Sequence, residues 1–445
     1  MRRDPMDRMI ESAFQPGRFI PYHGGYSFVS DLRRAEAEIA ELMANDPARV
    51  VTLYETFLAS CHAKAEEIDD SDGEFGSFVG GVFCGWVRAR QAAGADRDET
   101  ARLLLRWMDD DPYGFCNDLE LAAVKVLDPA GLAAFERDVR ARFDEEWAAL
   151  SKRKRLAEPN PNYACDRWAR MLKAVYSQQR NVRKYIDLTA HTELMQADCE
   201  AIAAIFQARR KPNDALAWVE RGLAIEKRNA FGSGASYKLG AMRRALLVKL
   251  GRGCEALDSA WAEFQAYPSK ITYAELVRYV PKAERAAWHE KAMAVAEHGD
   301  LASLIELWLS AKEITRLAER LDRASDTQLE NLSHYATEPA AERLSRTHPG
   351  VAARVFRALC MRIVDAGKSK YYDAALSNLE KAQKCYHSAG LDEQWQALVT
   401  EIRREHHRKS GFMPGFERMV RGERLSREPS FLDQARERWA SRAKE

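Results

Sequence analysis

The sequence predicts an all-α fold, an α-solenoid of helix–turn–helix repeats with an N-terminal helical unit. Two observations predict this class. Apolar residues recur at the 3.6-residue spacing of one helix face along almost the whole chain. In addition, only 24 glycines and 15 prolines interrupt 445 residues. A β-rich fold turns roughly every ten residues and needs more of both, so long helices are favoured.

The first helices are predicted from their caps and apolar faces. Ser30 is the expected N-cap of a helix that runs to Met43. Asp46 and Pro47 then place a capping residue directly before a proline at the first helical position. The helix that follows carries one apolar stripe, formed by Val50, Tyr54, Phe57, Leu58 and Cys61. This region is therefore expected to contribute two neighbouring helices to an apolar core.

A further helix, predicted from Phe75 to Ala92, contains an unusual number of glycines. They are Gly76, Gly80, Gly81 and Gly85. Glycine inside a helix costs about 1 kcal/mol relative to alanine. We therefore interpret the four glycines as sites where a neighbouring helix approaches closely. The alternative is a backbone surface that approaches a phosphate group.

A domain boundary is predicted at a linker spanning residues 151–163. The basic run Ser151–Arg155 is followed there by Glu158–Asn162, which is rich in proline and asparagine and has no apolar period. The expected organisation is an N-terminal helical unit at 1–150, the linker, a helical-repeat domain at 164–410 and a C-terminal tail at 411–445 with a short helix at Ser430–Ala443.

Two segments of the second half share one plan. Arg210–Trp218 and Gly251–Trp261 each show a basic turn, an acidic residue, an Ala-Leu pair and a tryptophan. The pairs begin at positions 215 and 256, which are separated by about the length of one helix–turn–helix repeat. Weaker echoes occur at His298–Ile305 and Tyr371–Leu376. Stacked repeats of this kind leave an extended concave face for binding.

The amino-acid composition and the N-terminal segment favour some classes of function over others. Lys and Arg number 68 against 67 Asp and Glu, so the formal net charge is +1 and gives no support to a dedicated nucleic-acid binder. The N-terminus lacks an apolar run long enough for a signal peptide or a membrane span. Eight dispersed cysteines without a Cys-x-x-Cys pair are expected to be small buried residues in a reducing compartment. The prediction is a cytoplasmic protein without a membrane partner.

Four segments occur in an order that resembles a known family. They are the acidic turn Asp69–Glu74, the turn Trp107–Phe115, the helix Ala215–Leu223 and the helix end Glu401–Lys409. Together they resemble a bacterial family of unknown function, built from helical repeats similar to tetratricopeptide units, over residues 20–415. The resemblance implies a fold and no established activity.

The same region is similar to the C-terminal part of SWIM zinc-finger proteins. Their zinc motif, Cys-x-Cys followed by Cys-x-His, is absent from this chain. Cys385-Tyr386-His387 matches only its second half. The most direct link of that family to nucleic acid is therefore missing.

Neither a metal site nor a catalytic motif is predicted. An EF-hand frame on the turn Asp69–Glu74 would place Ile68 at the first ligand position and Val79 at the twelfth, so we interpret the turn as a helix cap. Asp109–Asp111 can be interpreted either as a site for a divalent ion or as a solvated turn. His406-His407, and His289 with His298, lack chelating spacing. We expect no cofactor.

The tryptophans and the basic runs also have two interpretations each. Trp218, Trp261, Trp288 and Trp308 fall on apolar helix faces and are expected in packing contacts, rather than in a ligand cage. The basic runs are either a solvated linker and a helix end, or phosphate contacts. The candidate phosphate-contacting residues are Lys152, Arg153, Lys154, Arg155, Arg403, Arg404, Arg408 and Lys409.

Three functions follow from these features. The first is a non-catalytic interaction scaffold that binds a protein or peptide partner in a groove of the repeats. The second is a nucleic-acid-associated accessory protein that uses the two basic segments, and the third is an enzyme whose site is assembled from distant residues. A continuous basic stripe on the groove would favour nucleic acid. A groove of mixed charge or apolar character would favour a protein.

Overall fold

The computed structural model describes residues 4–116, 118–155, 163–226 and 234–423. The chain divides into two compact units, Met1–Leu250 and Gly251–Glu445. The described part is α-helical, which confirms the predicted fold class. Extended pairing in these ranges is limited to one parallel bridge between Ile20 and Ile68.

The first unit contains twelve helices in its described residues. They are α1 Pro5–Phe14, α2 Gly25–Glu41, α3 Pro47–Lys64, α4 Glu74–Ala92, α5 Arg97–Asp109, α6 Leu119–Val126, α7 Pro129–Arg155, α8 Tyr163–Gln178, α9 Val182–Thr189, α10 Gln196–Ala208, α11 Pro212–Glu226 and α12 Gly234–Lys249. Neighbours in sequence pack on each other, as α3 does on α4, α7 on α8 and α10 on α11. The unit is thus built largely of helical hairpins.

The second unit contributes eleven helices within the described ranges. They are α13 Gly253–Ala266, α14 Lys270–Tyr279, α15 Arg285–Ala296, α16 Leu301–Ala311, α17 Ile314–Asp322, α18 Asp326–Asn331, α19 His334–Leu344, α20 Pro349–Asp365, α21 Tyr372–Ser388, α22 Asp392–His406 and α23 Met413–Val420. Helices α20 and α21 form its most extensive hairpin. Its buried apolar residues, from Ala260 to Met419, form one core.

The capping signals predicted the start of α3 but not that of α2. Asp46 accepts a hydrogen bond from the Arg49 amide at 3.0 Å and Pro47 occupies the first helical position, as predicted. Helix α2, however, begins at Gly25, so Ser30 lies inside it and the predicted N-cap is wrong. The physical reason is that Phe28 and Val29 are both buried and extend the apolar face toward the N-terminus.

The glycines of α4 are not equivalent. A Cβ atom at Gly85 would lie 2.5 Å from Cζ of Tyr54, so α3 and α4 approach each other closely there, as predicted. Positions 80 and 81 have nothing within 4 Å of such an atom. The prediction of close approach is therefore wrong for Gly80 and Gly81. No described residue packs over the helix at these two points.

The structure places the predicted linker at the end of a long helix. Helix α7 continues to Arg155, so the basic run 151–155 is helical, in keeping with the good helix propensity of Lys and Arg. Residues 156–162 lie outside the described part. Buried Phe143 of α7 and Trp168 of α8 belong to one apolar core, although they flank the linker in sequence. The predicted domain division at this linker stays a prediction.

The chain continues in helical form beyond the predicted end of the repeats at residue 410. Helix α23 packs on α21, and a Cβ atom at Gly415 would lie 2.5 Å from Cδ1 of Leu376. Gly415 therefore allows a close contact between α23 and α21. The predicted short helix at Ser430–Ala443 lies outside the described residues.

Seven of the eight cysteines are buried, as expected for small core residues, and none forms a disulfide. Cys254 is the exception, because the start of α13 exposes it. Across the ranges that the structure covers, no helix combines the length and the apolar character required to cross a membrane.

The start of α7 provides a pH-dependent contribution to stability. Asp128 accepts hydrogen bonds from the Gly131 amide at 2.7 Å and from Arg97 Nη2 at 2.8 Å. The bond from Gly131, and then Arg97, hold the pKa of Asp128 below its ordinary value. The stabilisation is therefore present above the pKa of the unfolded chain, about 3.9, and is lost as the pH falls through the lower native pKa.

We expect Asp128→Asn to reduce the acid sensitivity of unfolding. Its urea midpoint should fall relative to the wild type at pH 7, and the difference should shrink toward pH 3. Asp144→Asn is the control, because Asp144 pairs with Arg140 on an exposed part of the same helix. A difference between Asp128→Asn and the wild type that stays constant across this pH range would contradict the assignment.

Candidate functional site

A groove crosses the first unit between α6, α8 and the segment that joins α9 to α10. It encloses about 770 Å³, and we call it the first-unit groove. Its floor consists of buried apolar residues, namely Val124, Ala169, Ala174 and Tyr185. At its edge, the large side chains of Leu121 and Met195 are 45% and 52% exposed. The groove thus offers an apolar floor to solvent.

Charges of both signs line the same groove. The cations are Lys125, Arg170 and Lys173, and the anions are Asp166, Glu193 and Asp198. A site for a nucleic-acid backbone needs a continuous cationic track. The first-unit groove lacks such a track, because its three cations are matched by three carboxylates.

Asp198 fixes one wall of the first-unit groove. Its carboxylate lies 2.8 Å from Lys173 Nζ, accepts a hydrogen bond from the Tyr185 hydroxyl at 3.0 Å and accepts another from the Met195 amide at 3.0 Å. Burial, and then the Asp198 charge, raise the pKa of Tyr185 far above its ordinary value. The hydroxyl therefore remains a neutral donor. The network ties α8, α9 and α10 together.

Arg170 lines the same groove from α8, three residues before Lys173. Its Nε lies 2.8 Å from Oε1 of Glu120, a residue that is completely buried. The Arg170 side chain is nevertheless 57% exposed, and a guanidinium carries five N–H donors. Arg170 also lines a second cavity of about 530 Å³ together with Asp109, Asp111 and Cys116. A single ion pair thus positions a cation that is accessible from two cavities.

Thr192 adds an unused polar group to the first-unit groove. Its Oγ1 atom is buried and has no hydrogen-bond partner among the described residues. A buried hydroxyl without a partner loses its hydration and gains nothing in return. A ligand that donates or accepts a hydrogen bond at this point would remove that cost.

The predicted phosphate contacts are dispersed. Lys152–Arg155 occupy the last turn of α7, and their side chains lie outside the described part. In the second unit, Arg403 binds Glu417 through Nε and Nη2 at 2.9 and 2.8 Å, and Arg404 lies 2.9 Å from Glu405. Lys409 donates to the Val364 carbonyl at the end of α20, while Arg408 is exposed. Their role in phosphate binding stays a prediction.

The acidic turns act as caps and ion-pair partners. Asp70 accepts hydrogen bonds from the Phe75 and Gly76 amides, both at 2.8 Å, which supports the capping interpretation of Asp69–Glu74. Asp111 accepts from the Cys116 amide at 2.6 Å. Asp109 pairs with two arginines, Arg142 and Arg167. Within the described ranges, no three His, Cys, Asp or Glu side chains group as metal ligands.

The four tryptophans make packing contacts, as their helix faces predicted. Trp308 is buried in the core of the second unit. Trp261 and Trp288 are partly buried with ring centroids 5.4 Å apart, and Lys291 Nζ lies 4.3 Å from each ring. Trp218 packs against the core of the first unit, with the Arg221 guanidinium 4.8 Å from its ring. The cations near Trp218, Trp261 and Trp288 belong to the chain itself, and Trp288 also donates from Nε1 to Oε2 of Glu284 at 3.2 Å.

A hydrogen-bonded chain around His289 was not anticipated. Its Nδ1 lies 2.6 Å from the Tyr273 hydroxyl, and its Nε2 lies 2.9 Å from Oε1 of Glu313. These residues come from α14, α15 and the residue that precedes α17. The spacing of His289 to His298 bears only on metal ligation and contains no signal for this contact. These two hydrogen bonds link α14 and α15 to the start of α17 in the second unit.

Comparison with known proteins assigns the chain to a family but does not identify a function. The model of the family of unknown function DUF6880 matches residues 17–414. No curated protein matches the sequence. The SWIM resemblance finds no support in these comparisons.

Among solved structures, the crystal structure of the pentatricopeptide repeat protein PPR10 from maize is similar. It aligns with 97% of this chain and 70% of its own, at 12% identity and a TM-score of 0.29. A likeness this low carries no argument about binding. Because the family model spans most of the sequence, the chain belongs to the DUF6880 family of unknown function.

Proposed function

We propose that this protein is a non-catalytic scaffold that binds a peptide segment of a protein partner in the first-unit groove. The observation that carries the proposal is the combination of a buried apolar floor with equal numbers of cations and anions around it. Peptides present apolar side chains and charges of both signs within a few residues. Binding sites typically combine an apolar lining with a few placed polar groups.

The polar groups of the groove fit the backbone and side chains of such a ligand. The Thr192 hydroxyl supplies a buried partner for one peptide N–H or C=O. The exposed donors of Arg170 supply a partner for a carboxylate, and Arg–carboxylate pairs are among the stronger hydrogen-bonded contacts. We infer that the preferred segment places a large apolar side chain on the floor next to an acidic residue.

Filling the groove should weaken this binding. Ala197 lines the groove and is exposed on α10, so a tryptophan at this position is expected to occupy the peptide site. We expect Ala197→Trp to weaken binding about tenfold or more, a change of roughly 1.4 kcal/mol. The probes are peptides selected from a random phage-displayed library on the full chain. Fluorescence anisotropy of the labelled peptides measures the affinity.

The matched control is Ala204→Trp. Ala204 is exposed on the same helix but does not line the groove, so this variant should bind as the wild type does. Equal affinities for the wild type and both variants would exclude the groove as the site. Failure to select any peptide would refute the proposal as a whole.

The nucleic-acid alternative keeps the predicted basic segments as its basis. In the described segment Arg403–Lys409, two of the four cations pair with carboxylates and a third donates to a helix carbonyl. These contacts give no specific support to phosphate binding there. The mixed charge of the first-unit groove supports the peptide instead.

A further inference from the structure

A cavity of about 490 Å³ lies in the second unit between α19, α20 and α21. Its volume falls within the range of small-molecule sites. The residues on which the inference rests are His334, Tyr335, Arg362, Lys368, Tyr371 and Asn378. We call it the α19–α21 cavity. It is separate from the first-unit groove, so it can be tested independently of the proposed function.

Asn378 points to a ligand. The residue is 8% exposed and lines the α19–α21 cavity, and its amide makes no hydrogen bond to any described residue. A primary amide carries two N–H donors and one carbonyl acceptor on the same plane. Buried amides normally find partners in the protein. The Asn378 amide is therefore available to a ligand that presents a donor and an acceptor side by side.

Aromatic rings flank the same cavity and remain exposed. Tyr335 is 80% exposed and Tyr371 is 51% exposed. The His334 ring lies against Tyr335 with a centroid distance of 4.0 Å, so the two form one aromatic surface. Exposed aromatic rings offer faces on which planar ligands stack, and nucleobases use such faces without regard to sequence.

The charges on the cavity favour an anion. Arg362 uses Nη1 to bind the Leu332 carbonyl at 2.9 Å and retains further N–H donors, and Lys368 is exposed. The one carboxylate of the lining, Glu338, lies 3.4 Å from Lys381 Nζ and is therefore paired. The ligand should consequently carry a negative group next to its planar ring.

We propose that the α19–α21 cavity binds an adenine nucleotide. The base stacks on the aromatic surface of His334 and Tyr335. The Asn378 amide pairs with the adjacent amino group and ring nitrogen of adenine, and Arg362 and Lys368 hold the phosphate. Asparagine forms this bidentate pair with N6 and N7 of adenine in protein complexes. The same chemistry is present in a free nucleotide and in a nucleotide of a single-stranded RNA.

Isothermal titration of the full chain with AMP, UMP and a short oligoadenylate tests the proposal. We expect AMP or the oligoadenylate to bind saturably at one site and UMP to bind about tenfold or more weakly, since one bidentate pair discriminates by about this factor. If the oligoadenylate binds no more tightly than AMP, with its concentration counted in adenylate units, a free nucleotide is identified as the ligand. Tighter, salt-sensitive binding of the oligoadenylate would identify RNA.

Two variants and a control complete the test. Asn378→Leu and Tyr335→Ala should each weaken binding about tenfold. This is the usual effect of losing one bidentate hydrogen-bonded contact to a base or one stacking contact with a base. Tyr267→Ala should have no effect, because Tyr267 is 75% exposed outside the cavity. Asn378→Leu should also retain the urea midpoint of the wild type, since the amide makes no hydrogen bond to a described residue that the substitution would remove. Absence of binding by both adenine probes, or wild-type affinity in a folded Asn378→Leu chain, overturns the proposal.

Discussion

Asp198→Ala is expected to lower the free energy of unfolding by about 3 kcal/mol, the cost of removing one partner from a buried ion pair. The substitution leaves Lys173, the Tyr185 hydroxyl and the Met195 amide without their common acceptor. Lys173 is only 19% exposed, so water compensates for little of this loss. Urea unfolding followed by circular dichroism measures the change.

Asp198→Asn is the matched control for charge. Tyr185 and Met195 donate to different oxygens of Asp198, so the single oxygen of asparagine keeps only one of these two bonds and also loses the attraction to Lys173. The stability of Asp198→Asn should therefore lie between those of the wild type and Asp198→Ala. The double variant with Lys173→Met should be less destabilised than the sum of the two single variants, because the two residues interact directly. Additive effects would show that the pair does not contribute as a unit.

Two glycine substitutions in α4 are expected to act in opposite directions. In Gly85→Ala, the new methyl group would lie 2.5 Å from Cζ of Tyr54, a buried ring whose hydroxyl is bound to Glu36. Forced overpacking of this kind costs about 2 kcal/mol. In Gly81→Ala the methyl group meets nothing within 4 Å, so the gain in helix propensity of about 1 kcal/mol remains.

The comparison is sensitive because both changes add the same methyl group to the same helix. Urea midpoints on either side of the wild-type value are expected. A stabilised Gly85→Ala chain would mean that α3 and α4 can separate without loss of packing. A destabilised Gly81→Ala chain would show that its side of the helix is covered.

Local signals predicted the fold better than they predicted individual contacts. Asp46 and Pro47 determine the start of α3 by chemistry within four residues, and such signals can be recognised in a sequence. The start of α2 lies before the predicted cap, because Gly25 gives no capping signal while buried Val29 and Phe28 extend the apolar face. The Phe28 ring contacts Phe14 and Phe75, which are distant in sequence. Glycine spacing alone could not show which side of α4 faces another helix.

The candidate sites depend on contacts that sequence reasoning could not find. The first-unit groove combines residues between positions 121 and 201 from separate helices, and no short motif links them. Asp198 follows Met195 by three residues, which is the spacing of a capping box, but methionine is not the usual capping residue of that motif. Asn378 is an ordinary helix residue in the sequence. What distinguishes it is its burial beside a cavity without a hydrogen bond to any described residue.

The distribution of cysteines makes the natural chain a ready substrate for site-specific labelling. Seven thiols are buried, and burial raises the pKa of six of them, namely Cys61, Cys84, Cys116, Cys199, Cys360 and Cys385. Thiol reagents attack the thiolate, so Cys254 is the preferred position. A maleimide dye would therefore attach at the second residue of α13. Fluorescence from this position could follow ligand binding in the wild-type protein, without cysteine replacement elsewhere.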